Sequence, residues 1–337
     1  MKLSRWQALW GLILAAVLFV PAWGANTDKN SAVPGTLNYV EGQASLNDHA
    51  VDSKSIGSAQ LDAGQSLTTN TGKAEVLLTP GVYLRLGDHS AVKMVSPSLT
   101  RTEVSLDQGR ALLEVDQISR DNDIRVDQGG AISRIQKTGL YSFDADQNVT
   151  RVFDGKEVVQ VGDKNVTVKG SHELALNSEK LKAEHFDKKQ YEDSDLYRFS
   201  DLRSSYLAEA NVNAARLYVA DGWYGPGWFG AGWYWDPWFS SYTFIPGGGF
   251  FYNPFGWGFY SPLVVYRSPV WYGSGYRHFG ATYQPPVRAF SHAPMRGTPG
   301  MGSQPMRPAP AFRAFPNMSA PHGFSGGGMR GGFPGRG

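Results

Sequence analysis

Two neighbouring stretches indicate the fold, Gly72-Lys73-Ala74-Glu75-Val76-Leu77-Leu78 and Gly81-Val82-Tyr83-Leu84-Arg85-Leu86-Gly87. Apolar side chains alternate with other residues in both, as at Val82, Leu84 and Leu86. Alternation with a period of two places one face of a strand on a hydrophobic core. Glycines at the ends of the stretches mark turns. The two stretches therefore predict consecutive strands of a β domain.

The same alternation continues on both sides of these stretches and predicts a mainly β fold over residues 35–178, either a sandwich or a stack of strands. Alternating runs stand at Val92-Met94, Val104-Leu106, Ala111-Leu113-Val115, Tyr141-Phe143, Val149–Phe153, Val159-Val161, Val166-Val168 and Leu174-Leu176. Asp154-Gly155 separates two of these runs, and this dipeptide predicts a two-residue hairpin between them.

The period changes after the β region. Residues 179–192 are dense in charge and are expected to form a solvated helix or a linker. The residues that then recur at steps of three and four are Leu196, Phe199, Leu202, Tyr206, Ala210, Ala214 and Leu217. This spacing predicts one apolar stripe on a helix of about 25 residues. Asp193 or Ser194 is expected to cap the helix start, and Gly222 to end it. We expect the stripe to pack on the sheet; pairing with another helix is the alternative.

Residues 1–24 are typical of an export signal. Lys2 and Arg5 precede an uncharged run from Ala8 to Val20, which is shorter than the ~20 residues that span a bilayer as a helix. Cleavage is expected before Ala25. We therefore expect an exported protein of the periplasm or cell surface of a bacterium, with no transmembrane span in the mature chain; an uncleaved anchor is the alternative.

The C-terminal third has a different composition. Residues 221–290 are an aromatic segment rich in Gly and Pro, in which breaks of regular structure are expected, and residues 291–337 are expected to be disordered. Residues 222–337 hold eight Arg, no Lys and one acidic residue, so this part is basic whereas the preceding part is acidic. A basic tail favours an anionic envelope polymer as its partner.

An ordered series of motifs resembles the FecR domain, the periplasmic module of bacterial sigma-factor signalling. The series comprises Val40-Glu41-Gly42-Gln43-Ala44, Leu61–Thr69, the two stretches at 72–78 and 81–87, Val104–Ala111 and Arg151–Val158. The resemblance covers residues 35–178. It implies a β domain that binds or scaffolds another envelope protein, with a signal-sensing role.

Two departures limit what this resemblance implies. The Gly-Thr-x-Phe turn of the family is replaced by Thr138-Gly139-Leu140-Tyr141-Ser142-Phe143. In addition, signalling members of the family carry a cytoplasmic anti-sigma segment and a spanning helix before the domain, whereas this chain shows a cleavable signal. The resemblance thus implies the fold and a periplasmic binding module, without the direct route to a sigma factor.

Candidate interaction residues lie in the C-terminal third. Exposed indoles can stack on sugar rings, so one hypothesis is carbohydrate or cell-wall binding; the alternative is packing against the β domain or against a partner protein. Arg-Gly-Gly at 330–332 is similar to RNA-binding tails, but an exported protein meets little RNA, so no nucleic-acid partner is expected. The candidate residues are Trp228, Trp233, Tyr234, Trp235, Trp238, Arg330 and Arg336.

No catalytic constellation stands out in the sequence. The absence of cysteine excludes disulfides, thiolate metal sites and a cysteine nucleophile. The seven histidines form no His-x-His or His-x₃-His pattern and are expected to be solvated. Asp121-Asn122-Asp123 and Asp144-Ala145-Asp146 lack the remainder of a calcium loop and are expected to make turns. We therefore expect a non-enzymatic protein without cofactor or metal.

Overall fold

The computed structural model describes residues 32–220 and 230–267. The proposed signal at 1–24, the expected helix stop at Gly222 and the C-terminal tail at 291–337 lie outside the described residues, as do Trp228, Arg330 and Arg336.

Fifteen strands join into one sheet, which confirms the mainly β fold. They are β1 Leu37–Leu46, β2 His49–Val51, β3 Ser66–Leu77, β4 Val82–Leu86, β5 Ala91–Pro97, β6 Arg101–Gln108, β7 Arg110–Val115, β8 Asp123–Gln128, β9 Ala131–Ile135, β10 Gly139–Asp144, β11 Val149–Asp154, β12 Lys156–Val161, β13 Lys164–Lys169, β14 His172–Ala175 and β15 Glu184–His185. Neighbouring strands follow the order β13-β12-β9-β8-β6-β5-β3-β4-β7-β10-β11-β14-β15, and β1 pairs with β3 and β2.

The sheet folds over on itself around the long strand β3. Ser66–Thr68 of this strand pair with β5, whereas Ala74–Leu77 pair with β4. The inward side chains of the two halves form one hydrophobic core, in which Leu106 and Leu113 are both buried. We call the half from β5 to β13 the first layer and the half from β4 to β15 the second layer.

Glycine permits the bend where β1 and β3 pair. Gly42 and Gly72 are partners, and the pairing register shifts next to them, between Gly42 and Ala44. A Cβ atom on Gly42 would lie 2.2 Å from the Thr71 carbonyl oxygen, and a Cβ atom on Gly72 would lie 2.3 Å from the Glu41 carbonyl oxygen. The bulge therefore requires backbone without side chains.

The hairpin predicted at Asp154-Gly155 is wrong. The strands on either side of this turn do not pair with each other, because β11 belongs to the second layer and β12 to the first. Gly155 has a φ of +104°, and a Cβ there would lie 2.2 Å from the Tyr141 hydroxyl oxygen. That hydroxyl accepts a hydrogen bond from Lys156 N and donates one to the Lys137 carbonyl. The dipeptide thus forms a corner between layers.

The outer face of the second layer is covered by the C-terminal part of the described chain. The covering elements are α1 Lys189–Glu192, α2 Asp195–Ala220, β16 Gly232–Asp236, β17 Ser241–Ile245, β18 Phe250–Tyr252, β19 Gly258–Tyr260 and α3 Pro262–Arg267. Strands β16 and β17 form one hairpin, and β18 and β19 form another. Gly and Pro break residues 232–267 into elements of three to six residues, as expected, but these short elements still pair into two hairpins.

A second core lies between this cover and the sheet. It contains Leu77, Tyr83 and Leu112 from the sheet together with Leu207 from α2 and Phe244 from β17. Strand β4 is buried over its whole length because both of its faces are packed. The aromatic side chains of residues 232–267 therefore supply the apolar area that the outer sheet face needs.

Helix α2 has the predicted length and packs on the sheet as expected, contacting β4 and β7. Its predicted apolar stripe is only partly correct, since Leu202 and Leu217 are 48% and 47% exposed. The buried face carries Ser200, Ser204 and Asn211 instead. Polar groups on the surface beneath the helix, described below, require these polar partners.

One buried carboxyl group lies inside the sandwich. Glu157 of β12 is fully buried, and Thr150 Oγ1 of the opposite layer donates a hydrogen bond to its Oε1 at 2.7 Å. Burial raises the pKa of Glu157 from 4.5 to about 7, although hydrogen bonds from Thr150 and Ser133 act in the opposite direction. The folded protein therefore holds this proton over a range of pH in which the unfolded chain has lost it.

We predict that this proton makes stability depend on pH. Between about pH 4.5 and 7 the folded state binds one more proton than the unfolded state, so the free energy of unfolding falls as pH rises through that window. Glu157→Gln removes this dependence. We compare the free energy of unfolding of this variant with that of the unsubstituted protein. The difference should shift in favour of the variant by about 3 kcal/mol between pH 4 and pH 8, at ~1.4 kcal/mol per pKa unit.

Urea unfolding at both pH values measures this difference, and Glu179→Gln, an exposed change, is the matched control. An equal stability difference between Glu157→Gln and the unsubstituted protein at pH 4 and pH 8 would contradict the prediction.

Candidate interaction surface

A chain of buried charges lies on the outer face of the second layer. Arg85 of β4 is the central group. Its Nε donates to Glu75 Oε2 at 2.7 Å, and its Nη1 donates to Glu114 Oε2. All three side chains are completely buried. Glu75 and Arg85 are direct partners in the register of β3 and β4, so the strand pairing itself sets up the first contact.

One arginine does not neutralise two carboxylates. Asn38 Nδ2 of β1 donates to Glu75 Oε1 at 2.8 Å, and the cover supplies further partners. Arg203 Nη2 of α2 donates to Glu75 Oε1 at 2.9 Å. Ser204 Oγ donates to Glu114 Oε2, and Asn253 Nδ2 donates to Glu114 Oε1 at 2.6 Å. We call Glu75, Arg85, Glu114, Arg203, Ser204 and Asn253 the polar network. It joins the sheet, the helix and the second hairpin.

The network fixes the charge states of its neighbours. Burial alone would raise the pKa of Glu75, but the positive charges of Arg203 and Arg85 outweigh it and hold the pKa at about 2. Burial and the negative charge of Glu114 raise the pKa of Asp116 well above its usual range. Near neutral pH, Glu75 is therefore ionised, whereas burial and Glu114 favour the protonated form of Asp116. Stability from Glu75 is present above its ordinary pKa and is lost as pH falls toward 2.

Side-chain amides attach the hairpins by their backbone. Asn38 of β1 donates to the Tyr242 carbonyl at 2.9 Å and accepts from Tyr242 N at 2.7 Å. Asn211 of α2 donates to the Tyr260 carbonyl at 3.1 Å and accepts from Tyr260 N at 2.8 Å. It also donates to the Phe244 carbonyl. These bonds satisfy backbone groups that the two-stranded hairpins leave unpaired, which makes their burial possible.

Three of the predicted aromatic site residues pack into the fold. Trp233 lies edge-on against Tyr83, with ring centroids 4.9 Å apart. Tyr234 is buried, and its hydroxyl donates to the Gly230 carbonyl at 2.7 Å. Trp235 lies edge-on against Tyr242 at 5.0 Å. Because Trp233 and Trp235 are half-buried in such contacts, they do not form a common exposed platform with Trp238 for stacking on sugar rings.

Trp238 is placed differently from the other three. It is 85% exposed and lies in the turn between β16 and β17. The buried carboxylate of Asp236 holds this turn, because its Oδ1 accepts from Trp238 N at 2.7 Å and from Phe239 N at 3.0 Å. The backbone that carries the exposed indole is thus fixed by hydrogen bonds.

Further apolar side chains lie near this turn. Phe239 is 6.1 Å from Tyr206 of α2 between ring centroids, and the exposed Leu202 is one helical turn before Tyr206. We call Leu202, Tyr206, Trp238 and Phe239 the aromatic corner. It is built from the part of the predicted stripe that α2 does not bury.

The structure identifies residues that the sequence pattern did not. Asn38, Glu75, Glu114 and Asn253 are ordinary polar residues in the sequence, and only their common burial shows their role. Within residues 32–220 and 230–267, no group of three or more His, Asp or Glu side chains is arranged to hold a metal ion. No helix in the same ranges is long and apolar enough to cross a membrane.

We predict that Arg203→Leu destabilises the protein by about 3–5 kcal/mol, because removal of one partner leaves buried Glu75 insufficiently compensated. The matched control is Arg198→Leu, an exposed change on the same helix, which should cost less than ~0.5 kcal/mol. Guanidinium unfolding followed by circular dichroism measures both. Equal midpoints for the two variants would show that Arg203 is not needed for the network.

Comparisons with known proteins give one family match and two similar structures. Residues 65–156 match the family model described as FecR protein. Two crystal structures of a Parabacteroides distasonis protein described as a candidate anti-sigma factor are similar, each with a TM-score of 0.32 and with 14% and 13% identity. Each match covers 36% of this chain and 60% of that chain, so this chain spans less than two thirds of the length of that protein. No match was found among curated proteins.

The family match begins next to the start of β3 and ends at the start of β12, and it includes Glu75, Arg85 and Glu114. The residues that complete the polar network, Arg203, Ser204 and Asn253, lie outside the match. The match to the FecR family is thus confined to residues 65–156, and the outer sheet face of this region is covered by the chain's own C-terminal elements.

Proposed function

We propose that this is an exported, non-enzymatic FecR-domain protein that acts as a protein-interaction module in the bacterial periplasm or envelope, with a signal-sensing role. The proposed export rests on the signal-like residues 1–24, and the regulatory class rests on the FecR match. We also propose that the β domain spans residues 35–178 and that the linker and helix span residues 179–220.

The contact with a partner protein is assigned to the aromatic corner. The observation that carries this assignment is the 85% exposure of Trp238 on a turn held by the buried Asp236. Large aromatic side chains dominate the binding energy of many interfaces, and a pre-ordered backbone reduces the entropy lost on binding. The half-buried Trp233 and Trp235 serve the fold instead.

A photo-cross-linking residue at position 238 tests this assignment. In envelopes of the native host it should yield a discrete cross-linked protein, whereas the same residue at Leu99, exposed on a loop of the first layer, should not. Trp238→Ser should reduce co-purification of that protein at least about tenfold, which corresponds to ~1.4 kcal/mol. Cross-links that are equal at both positions would contradict the assignment.

We propose that residues 268–337, the part of the basic tail beyond α3, bind anionic envelope polymer. Residues 268–337 contain seven Arg, among them Arg330 and Arg336, and no acidic residue. Deletion of residues 222–337 would remove Asn253 and expose the second core. A loss of envelope binding in that variant would not be separable from a loss of folding. Deletion of 268–337 leaves all described elements in place.

We predict that the 268–337 deletion retains the unfolding midpoint but is lost from the envelope sediment. Changing the seven arginines to glutamine should have the same effect, whereas changing them to lysine should preserve sedimentation, because charge drives the contact. Raising the salt concentration should release the intact protein as well. Retention of the glutamine variant in the sediment would exclude an electrostatic anchor.

A further inference from the structure

Two histidines that are far apart in sequence meet on the last two strands of the second layer. His172 of β14 and His185 of β15 are direct partners in the strand register. Their ring centroids are 5.8 Å apart, with an angle of 77° between the ring planes. His172 is partly buried and His185 is exposed, so solvent reaches the pair.

The strand pairing brings these side chains close together. The flanking residues Ser171 and Phe186 are joined by a hydrogen bond from Phe186 N to the Ser171 carbonyl, 3.1 Å long. His172 and His185 therefore occupy a non-hydrogen-bonded position of an antiparallel pair, where Cα atoms approach to about 4.5 Å and side chains lie closest.

A backbone hydrogen bond sets the tautomer of one ring. His172 Nδ1 lies 3.0 Å from the Gly170 carbonyl oxygen. A carbonyl oxygen only accepts, so Nδ1 carries the hydrogen and, in the neutral ring, Nε2 carries the free lone pair. A hydrogen bond from the second ring nitrogen to a backbone carbonyl is the usual support of a metal-binding histidine. His185 makes no hydrogen bond within the described part of the chain.

The ring separation fits a shared ion. Two imidazoles on one tetrahedral zinc, with Zn–N distances of about 2.0–2.1 Å, place their ring centres roughly 5–6 Å apart. We propose that His172 and His185 form a two-histidine site for a divalent transition-metal ion that prefers imidazole, with water completing the coordination. The site lacks a third protein ligand, which agrees with the absence of larger ligand groups among the described residues.

Metal at this site would fasten the segment that leads to the cover. His185 precedes Phe186, which is buried against Phe153 of β11 with ring centroids 5.3 Å apart. Apart from the contacts of Phe186, the described pairing of this segment with β14 consists of two residue pairs, His172 with His185 and Glu173 with Glu184. An ion shared by the two rings adds a link between the FecR-domain sheet and the chain that continues into α2.

Zinc chloride titration of the full mature chain, followed by calorimetry, tests the site. We expect binding that is at least tenfold weaker in His172→Gln and in His185→Gln, since loss of a ligand exceeds the effect of losing a supporting contact. His49→Gln, which changes an exposed histidine on β2, is the matched control and should bind like the unsubstituted protein. Circular dichroism establishes that each variant is folded.

A replacement ligand provides the second test. The sequence contains no cysteine, so His185→Cys introduces the only thiolate of the protein. This variant should keep the zinc affinity of the original pair, whereas His185→Gln should lose it, because a thiolate replaces the imidazole as a ligand. Zinc binding that is unchanged in His172→Gln, or lost only when His278, His292 and His322 of the tail are replaced, would overturn the proposal.

Discussion

The placement of Arg85 between two buried carboxylates is the constraint on which the rest of the structure depends. Glu75, Arg85 and Glu114 lie on a buried sheet face beside the apolar side chains of Leu77, Tyr83 and Leu112. A buried charge without a partner costs several kcal/mol, so this face is stable only under a cover that is apolar around its edge and polar at its centre. Arg203, Ser204 and Asn253 provide that centre, and the aromatic hairpins provide the edge.

This constraint explains why a segment rich in Gly and Pro folds at all. Isolated two-stranded hairpins are marginal in water, and these two gain stability from the sheet and helix on which they lie. Asn38 and Asn211 satisfy backbone groups that the hairpins leave unpaired. Most aromatic side chains of the cover are therefore used by the fold, which concentrates the proposed binding function on the aromatic corner with Trp238 and on the basic tail.

The sequence predicts the elements whose patterns are local. Alternation predicts the strands, and the three-to-four spacing predicts α2. It does not predict the corner at Asp154-Gly155, because the same dipeptide serves a hairpin or a change of layer. The choice depends on strand pairing and on contacts far along the chain, such as that of the Tyr141 hydroxyl with Lys156 N. It also misses Asn38, Arg203 and Asn253, since a polar residue gives no sign that it will be buried. The pairing of His172 with His185 likewise depends on strand register, which the spacing in the sequence does not show.

The central claim is that the polar network makes the large sheet and its C-terminal cover one cooperative unit. Every tryptophan beyond the first 24 residues lies between Trp223 and Trp271, so tryptophan fluorescence reports on the C-terminal third, whereas far-ultraviolet circular dichroism is dominated by the sheet. Denaturant unfolding followed by both signals on one sample tests the claim most directly. We expect coincident transitions with one midpoint. A fluorescence transition that is complete before the sheet unfolds would show that the cover is an independent attachment.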